Sequence, residues 1–366
     1  MKFEIDRSEL LNAVTIAAKA SAQKGVRPIL ANLLIDASED KLRLVATDME
    51  AMSIIEIAAD VADCGKITAP AKLLQEMLSN LPNDSLFPVE VSADKNTDEI
   101  NFVMGKNKFS IRGLSADDFP PVPSLDAELF PINGAELSKA IKQAAISAST
   151  EEGNPVQKSV YFDFAENAKL VSTDSKRLTV CDVPELKIAD NLKAGFIVPI
   201  KAANEVAAMF TNADDAKIGI FKGQMIFKTG HTTYLTRTID ARFPDAQRVI
   251  PKESNIAVKF YKKELSQALK SLSPIAKNNS NFVKLDISSN EIKLSSDGKE
   301  NGKAETSIPC NSDGEIQIAF NLKYLQDFLN VAEADEISLM LTSSAYPGML
   351  VDGDDLRYVV MPMSFQ

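Results

Sequence analysis

Ala46-Thr47-Asp48-Met49-Glu50 ends a strand-like run in a hydroxyl–Asp pair, and the ending returns at Thr173-Asp174 and, with serine, at Ser296-Asp297. Upstream of each pair lies an apolar helix pattern: Leu10-Leu11, Val14 and Ala17-Ala18; Leu137, Ile141 and Ala145; Leu265, Ala268-Leu269 and Leu272. The leading leucines Leu10, Leu137 and Leu265 stand 127 and 128 residues apart. Downstream, an extended stretch runs into a second helix: Ala69-Pro70-Ala71-Lys72-Leu73-Leu74, Val198-Pro199-Ile200-Lys201-Ala202-Ala203, and Ala319-Phe320-Asn321-Leu322-Lys323-Tyr324. Pro70 and Pro199 suit a helix entrance, where a missing N–H costs little; the third copy has Phe320 instead. Each copy closes on further strands and a Pro, at Phe119-Pro120, Phe243-Pro244 and Met361-Pro362.

A period this long, against roughly 20–50 residues in solenoid arrays, describes whole domains. Between the helices, apolar residues alternate as strands require: Ile100, Phe102 and Met104; Val160, Phe162 and Phe164; Val283, Leu285 and Ile287; Ile337, Leu339 and Leu341. The fold class is therefore α+β, with three repeated domains at 1–125, 126–252 and 253–366. Each is read as two helices packed on two small antiparallel sheets. Phe119-Pro120-Pro121-Val122-Pro123 and Ile250-Pro251-Lys252-Glu253-Ser254 mark the joints. Three such domains in a row can form an arc. Two arcs related by a two-fold axis would close a six-domain ring and hide open sheet edges.

Composition narrows the function classes. The 366 residues carry a net charge of −11, which argues against coating DNA by bulk attraction. No run approaches the roughly 20 apolar residues of a membrane helix, and the start has no apolar leader segment. Cys64, Cys181 and Cys310 are an odd, scattered set, read as buried thiols in a reducing cytoplasm. The positive charge is unevenly placed. Helices expected at 7–20, 71–79, 136–147, 200–210, 261–272 and 322–330 hold ten Lys and Arg against six Asp and Glu. Helices lining a hole would attract phosphate while the outer surface repelled it; a plain solvated face is the alternative.

Catalytic patterns are missing. His231, in Thr229-Gly230-His231-Thr232-Thr233, is the single histidine and cannot build a metal cluster. No phosphate loop or nucleophile elbow occurs. The carboxylates Asp48 with Glu50, Asp117-Asp118, Asp214-Asp215 and Asp352-Gly353-Asp354-Asp355 fall in expected turns, where Asp beside Gly is turn chemistry. The expectation is no catalytic residue, no metal and no cofactor. Two rivals stay open: a metal-dependent nuclease using Asp48, Glu50 or the 352–355 run, and a protein-only scaffold.

At this point the sequence resembles the beta sliding clamps, the processivity subunits of bacterial replicative DNA polymerase. The resemblance runs over essentially the whole chain. It is carried by Arg27-Pro28-Ile29-Leu30-Ala31-Asn32-Leu33-Leu34, Ala46-Thr47-Asp48-Met49-Glu50, Thr173-Asp174-Ser175-Lys176-Arg177-Leu178, Asp240-Ala241-Arg242-Phe243-Pro244-Asp245 and Tyr358-Val359-Val360-Met361-Pro362-Met363. It implies a head-to-tail homodimeric ring around double-stranded DNA, with no sequence readout. It implies partners that dock a short linear motif: polymerase catalytic subunit, clamp loader and repair proteins.

The resemblance also assigns residues. The motif pocket would use Thr173, Arg177, Leu178, Pro244, Arg248, Val249, Ala345, Pro347, Val359, Val360, Met361, Pro362 and Met363. DNA would be met by Lys24, Arg27, Lys72 and Lys201. The dimer contact would set Met77, Phe109 and Ile111 against Ile275 of the second copy, beside Pro274, an unusual helix end. The chain departs from the common pattern at Ser175-Lys176, often Gly-His, and in its ending Ser364-Phe365-Gln366.

Overall fold

The computed structural model describes residues 1–22, 27–82, 87–94, 97–251, 253–298 and 302–365. They form two compact units, Met1–Gly134 with Asn212–Thr238, and Ala135–Thr211 with Ile239–Gln366.

Among the described residues, six α-helices stand where the apolar spacing put them: α1 Arg7–Ala18, α2 Ala71–Asn80, α3 Gly134–Ala145, α4 Ile200–Phe210, α5 Lys262–Ala276 and α6 Leu322–Val331. Each buries one stripe, such as Leu10, Ala13, Val14 and Ala17 on α1, or Leu265, Ala268, Leu269 and Leu272 on α5. Helix α1 starts at Asp6, whose carboxylate accepts from the Ser8 and Glu9 N–H groups, a cap that contributes about 1 kcal/mol. Pro70 and Pro199 immediately precede α2 and α4. In the third copy that position is Asn321, one residue later than the sequence suggests, and its side chain caps the helix by accepting from Lys323 N–H at 2.9 Å. Helix α5 runs on through Pro274 to Ala276, four residues beyond expectation at 272. Near the end of a helix, proline removes a single backbone bond.

Among the described residues the sheets are antiparallel and number four. In the first unit a five-stranded sheet runs Asp60–Asp63, Lys2–Ile5, Val89–Ala93, Glu99–Met104, Asn107–Arg112. Ile100, Phe102 and Met104 turn inward between exposed Glu99 and Asn101; burying a side chain such as Phe102 contributes about 2–3 kcal/mol. In the second unit a four-stranded sheet runs Lys303–Pro309, Glu291–Asp297, Phe282–Ile287, Ile316–Asn321.

The other two sheets differ from the small separate sheets expected for each repeat. Thr232–Arg237, from the middle repeat, pairs with Ala51–Ala58 of the first, giving eight strands. Arg177–Asp182 pairs with Leu356–Val360 of the third, giving nine. An edge left open by one repeat is satisfied by the next, which removes a row of unpaired N–H and C=O groups.

Two thiols depart from the buried reading. Cys181 is buried, but Cys64 is exposed and Cys310 is partly exposed. None of the described helices is long and apolar enough to cross a membrane.

Candidate functional site

The hydroxyl–Asp pair is a turn device. Between strands Lys169–Thr173 and Arg177–Asp182, Thr173 Oγ1 donates to the Arg177 carbonyl at 2.8 Å and accepts from Ser175 N–H. Asp174 Oδ1 accepts from the Lys176 and Arg177 N–H groups at 2.9 and 3.0 Å. The turn holds Ser175 at φ 73°, a left-handed conformation that glycine adopts without strain. In the third repeat the pair behaves differently: Ser296 Oγ donates across the sheet to the Phe282 carbonyl.

Beside this turn the nine-stranded sheet carries an apolar patch. Val171, Leu178, Val180 and Val359 form its floor, and Tyr161, Met349, Phe243, Ala246 and Ile250 pack against them. Phe243 stacks on Tyr161 with centroids 4.8 Å apart and planes 8° apart. Pro244 borders a cavity of about 180 Å³ with Tyr161, Val171 and Val180. The floor continues past Leu178, paired with Val359, to exposed Met361. Met361 N–H donates to the Lys176 carbonyl at 2.9 Å, which fastens the terminal segment to the turn.

The structure brings Thr173, Leu178, Pro244, Val359 and Met361 around this patch, and turns Arg177 and Val360 to the other side of the sheet. Successive strand residues face opposite ways, so Arg177 and Val360, paired with each other, lie on the reverse face from Leu178 and Val359. There Val360 is fully buried. Arg177 donates to Asp174 Oδ2 at 2.9 Å and Asp327 Oδ2 at 2.6 Å, and sits 4.2 Å above the Tyr324 ring. Burial works against its charge, but Tyr358, Asp327 and Asp174 outweigh that and raise its pKa. A guanidinium so engaged braces the sheet against α6.

The remaining pocket residues lie on loops. Arg248 is exposed and bonded to Asp245 at 3.1 Å, Val249 is 48% exposed, and Ala345 is exposed in the loop that ends at half-buried Pro347. Pro362 and Met363 are half-buried in the closing segment, where Met363 N–H donates to the Ala319 carbonyl at 2.7 Å. Sequence reasoning missed Tyr161, Met349 and Phe243 as groove residues. The alternation that turns Val160, Phe162 and Phe164 inward already places Tyr161 on the opposite face.

The proposed DNA contacts are partly described. Lys24 lies outside the described residues; Arg27 is exposed before a short 3-10 turn. Lys72 and Lys201 are exposed at the second positions of α2 and α4, and Lys323 holds the same position in α6. Sequence reasoning left Lys323 out, though the Lys72, Lys201, Lys323 repeat is legible. With Lys270 and Lys277 it lines a cavity of about 390 Å³. A lysine in a helix's first turn opposes the macrodipole, while a bound phosphate would satisfy both. Other helix cations serve the fold. Arg7 donates to the Leu78 and Ser79 carbonyls at the end of α2, Lys262 does the same for Ala332 after α6, and Lys139 pairs with Glu333 at 2.6 Å.

For the dimer set, Met77 and Ile111 are buried in their own unit, Phe109 is 38% exposed on the edge strand Asn107–Arg112, and Ile275 is half-buried on α5.

Asp48 and Asp352, two of the carboxylates singled out for a nuclease, have backbone partners. Asp48 Oδ1 accepts from Glu50 and Ala51, and buried Asp352 accepts from Glu333 and Ala334. Among the described residues no three His, Cys, Asp or Glu side chains form a metal-binding group. His231 is exposed in a hairpin turn.

Family comparison agrees with this architecture along the chain. Models for the N-terminal, central and C-terminal domains of the DNA polymerase III beta subunit match residues 1–123, 131–245 and 247–364. The chain belongs to the DNA polymerase III beta subunit family. It is 28% identical to the beta sliding clamp of Synechococcus elongatus, covering 100% of both chains. Among solved members of the beta subunit family, the Thermotoga maritima protein matches with a TM-score of 0.91 at 27% identity, over 100% of both chains. A Bartonella birtlesii sliding clamp bound to griselimycin matches with a TM-score of 0.92 at 26% identity, again over 100% of both.

Proposed function

We propose that this chain is a DNA sliding clamp: two copies close a ring around duplex DNA and hold the replicative polymerase on it. The observation that carries the reading is the ordered match of all three beta-subunit domains over nearly the whole length. The domains are taken as 1–125, 126–252 and 253–366, six to a ring.

The mechanism follows from charge and closure. Arg27, Lys72 and Lys201, with Lys24, meet phosphates loosely and read no bases. Each phosphate contact is salt-sensitive, with log K falling by about 0.9 per contact per log unit of salt. Encirclement escapes that limit, since the ring is held by topology. Closure would join the edge strand Asn107–Arg112 of one copy, with Phe109, to the edge strand Lys303–Pro309 and α5 of the other, near Ile275. The clamp makes and breaks no bond, so opening falls to a separate loader in the same cytoplasm. Polymerase, loader and repair proteins dock short linear motifs on Leu178, Val359 and Met361, with Pro244, Arg248, Val249, Ala345 and Pro347 at the rim.

Retention on nicked circular DNA, in salt that strips ordinary binders, tests the reading. The expected result is retention on the circle and escape once it is cut. Equal retention on cut and intact circles would overturn it.

A further inference from the structure

The turn that frames the groove is built twice. Between Lys41–Thr47 and Ala51–Ala58, Thr47 Oγ1 donates to the Ala51 carbonyl at 2.7 Å and accepts from Met49 N–H at 3.0 Å. Asp48 Oδ1 accepts from the Glu50 and Ala51 N–H groups at 3.1 and 2.8 Å. Met49 takes φ 77°, beside 73° for Ser175. Arg237 N–H donates to the Glu50 carbonyl at 2.9 Å, as Met361 N–H does to Lys176. Leu235 pairs with Met52 as Val359 pairs with Leu178. Thus every one of these bonds around the groove in the second unit has a counterpart in the first.

The counterpart is open. A cavity of about 490 Å³ lies over Met52, Leu235 and Phe221, with Met49, Pro120 and Pro121 among its walls. Met49, 44% exposed, stands at the mouth of this cavity as Met361, 43% exposed, does at the other groove. At the rim stand exposed Lys222 and Arg237 against one acid, Glu50. In a chain of net charge −11, a rim of excess positive charge favours an acidic occupant.

We propose that this groove is a second peptide-docking site, taking an extended segment with a bulky apolar anchor beside an acidic residue. The anchor enters between Met49, Met52 and Leu235; the carboxylate meets Lys222 and Arg237. Methionine walls adapt to different anchors. The inference rests on reading the equivalent groove as a peptide site.

Methyl NMR of the full-length, methionine-labelled protein tests it with the acetylated, amidated peptide Gly-Asp-Leu-Gly-Phe-Gly. Met49 and Met52 report this groove; Met349 and Met361 report the other. Saturable shifts at Met49 and Met52 are expected. Binding there should be roughly tenfold weaker when asparagine replaces the peptide's aspartate, or in Lys222→Ala/Arg237→Ala with an unchanged melting midpoint. Shifts confined to Met349 and Met361 overturn the second groove and leave the first standing. Silence at all four overturns both for this class of peptide. Met49 shifts that grow with protein concentration without peptide give the face to a second copy, and also overturn the proposal.

Discussion

Arg177 Nη1 and Asp327 Oδ2 stand 2.6 Å apart, tying a strand end of the nine-stranded sheet to α6. Removing the acid leaves a largely buried guanidinium with Asp174 alone among its carboxylate partners. Asp327→Ala should lower the unfolding free energy by about 2–3 kcal/mol, below the range for fully buried pairs because Asp327 is partly exposed. Urea denaturation measures it. Because the pair faces away from the groove, peptide affinity of the folded variant should change less than about twofold.

The three thiols should separate by reactivity. Burial pushes the Cys181 thiol up to about 12, and its Sγ donates to Gln143 Oε1 at 3.2 Å. At pH 8 that leaves a thiolate fraction on the order of one in ten thousand. Ellman's reagent should label exposed Cys64 first and Cys310, raised by burial, more slowly. Cys181 should react only on unfolding. Rapid labelling of two thiols in Cys64→Ser would contradict this ordering.

Much of this architecture is legible because its parts are local. Alternation at Ile100, Phe102 and Met104 fixes a strand face, and the spacing of Leu10, Val14 and Ala17 fixes a helix stripe. Thr47-Asp48 and Thr173-Asp174 announce turns through short-range hydrogen bonds. What escapes is long-range pairing. Nothing near Thr232–Arg237 or Leu356–Val360 names a partner strand in another repeat, so the merged sheets are not visible in the sequence. The same limit explains Arg177: residue type suggests a ligand, while its commitment to Asp327 depends on register 150 residues away.

Acid should weaken the start of α1. Hydrogen bonds from the Ser8 side chain and the Glu9 backbone hold Asp6 below the usual carboxylate range. A depressed folded pKa means stability present above the unfolded value and lost as pH falls through the folded one. Asp6→Ala should therefore cost about 1 kcal/mol at pH 7, with the gap narrowing below about pH 4. Melting curves of both proteins from pH 7 to pH 2.5 measure it. A constant gap would contradict the assignment.

Lysines at the helix starts should differ from cations that brace helix ends. Lys72→Ala and Lys201→Ala together remove four lysines from a two-copy ring and should reduce the slope of log K against log salt by about 3.6 on short duplex DNA, if each meets one phosphate. Arg7→Ala, which unpins the Leu78 and Ser79 carbonyls, should leave that slope alone and lower the melting midpoint. Fluorescence anisotropy across a salt series separates the two.

Deleting residues 361–366 should abolish stimulation of the polymerase while sedimentation still reports a dimer. The segment bonds to Lys176 and to Ala319, and Ala319 lies on the edge of the four-stranded sheet opposite Lys303–Pro309. Loss of the dimer would reassign the segment to structural support.

Pairing of Thr232–Arg237 with Ala51–Ala58, and of Arg177–Asp182 with Leu356–Val360, shares the middle repeat's strands between two blocks. Triplication in the sequence therefore does not give three spare parts. A chain cut near residue 125 would strand half of one hydrogen-bonded ladder on each fragment, because the compact units are two blocks, neither of them a repeat.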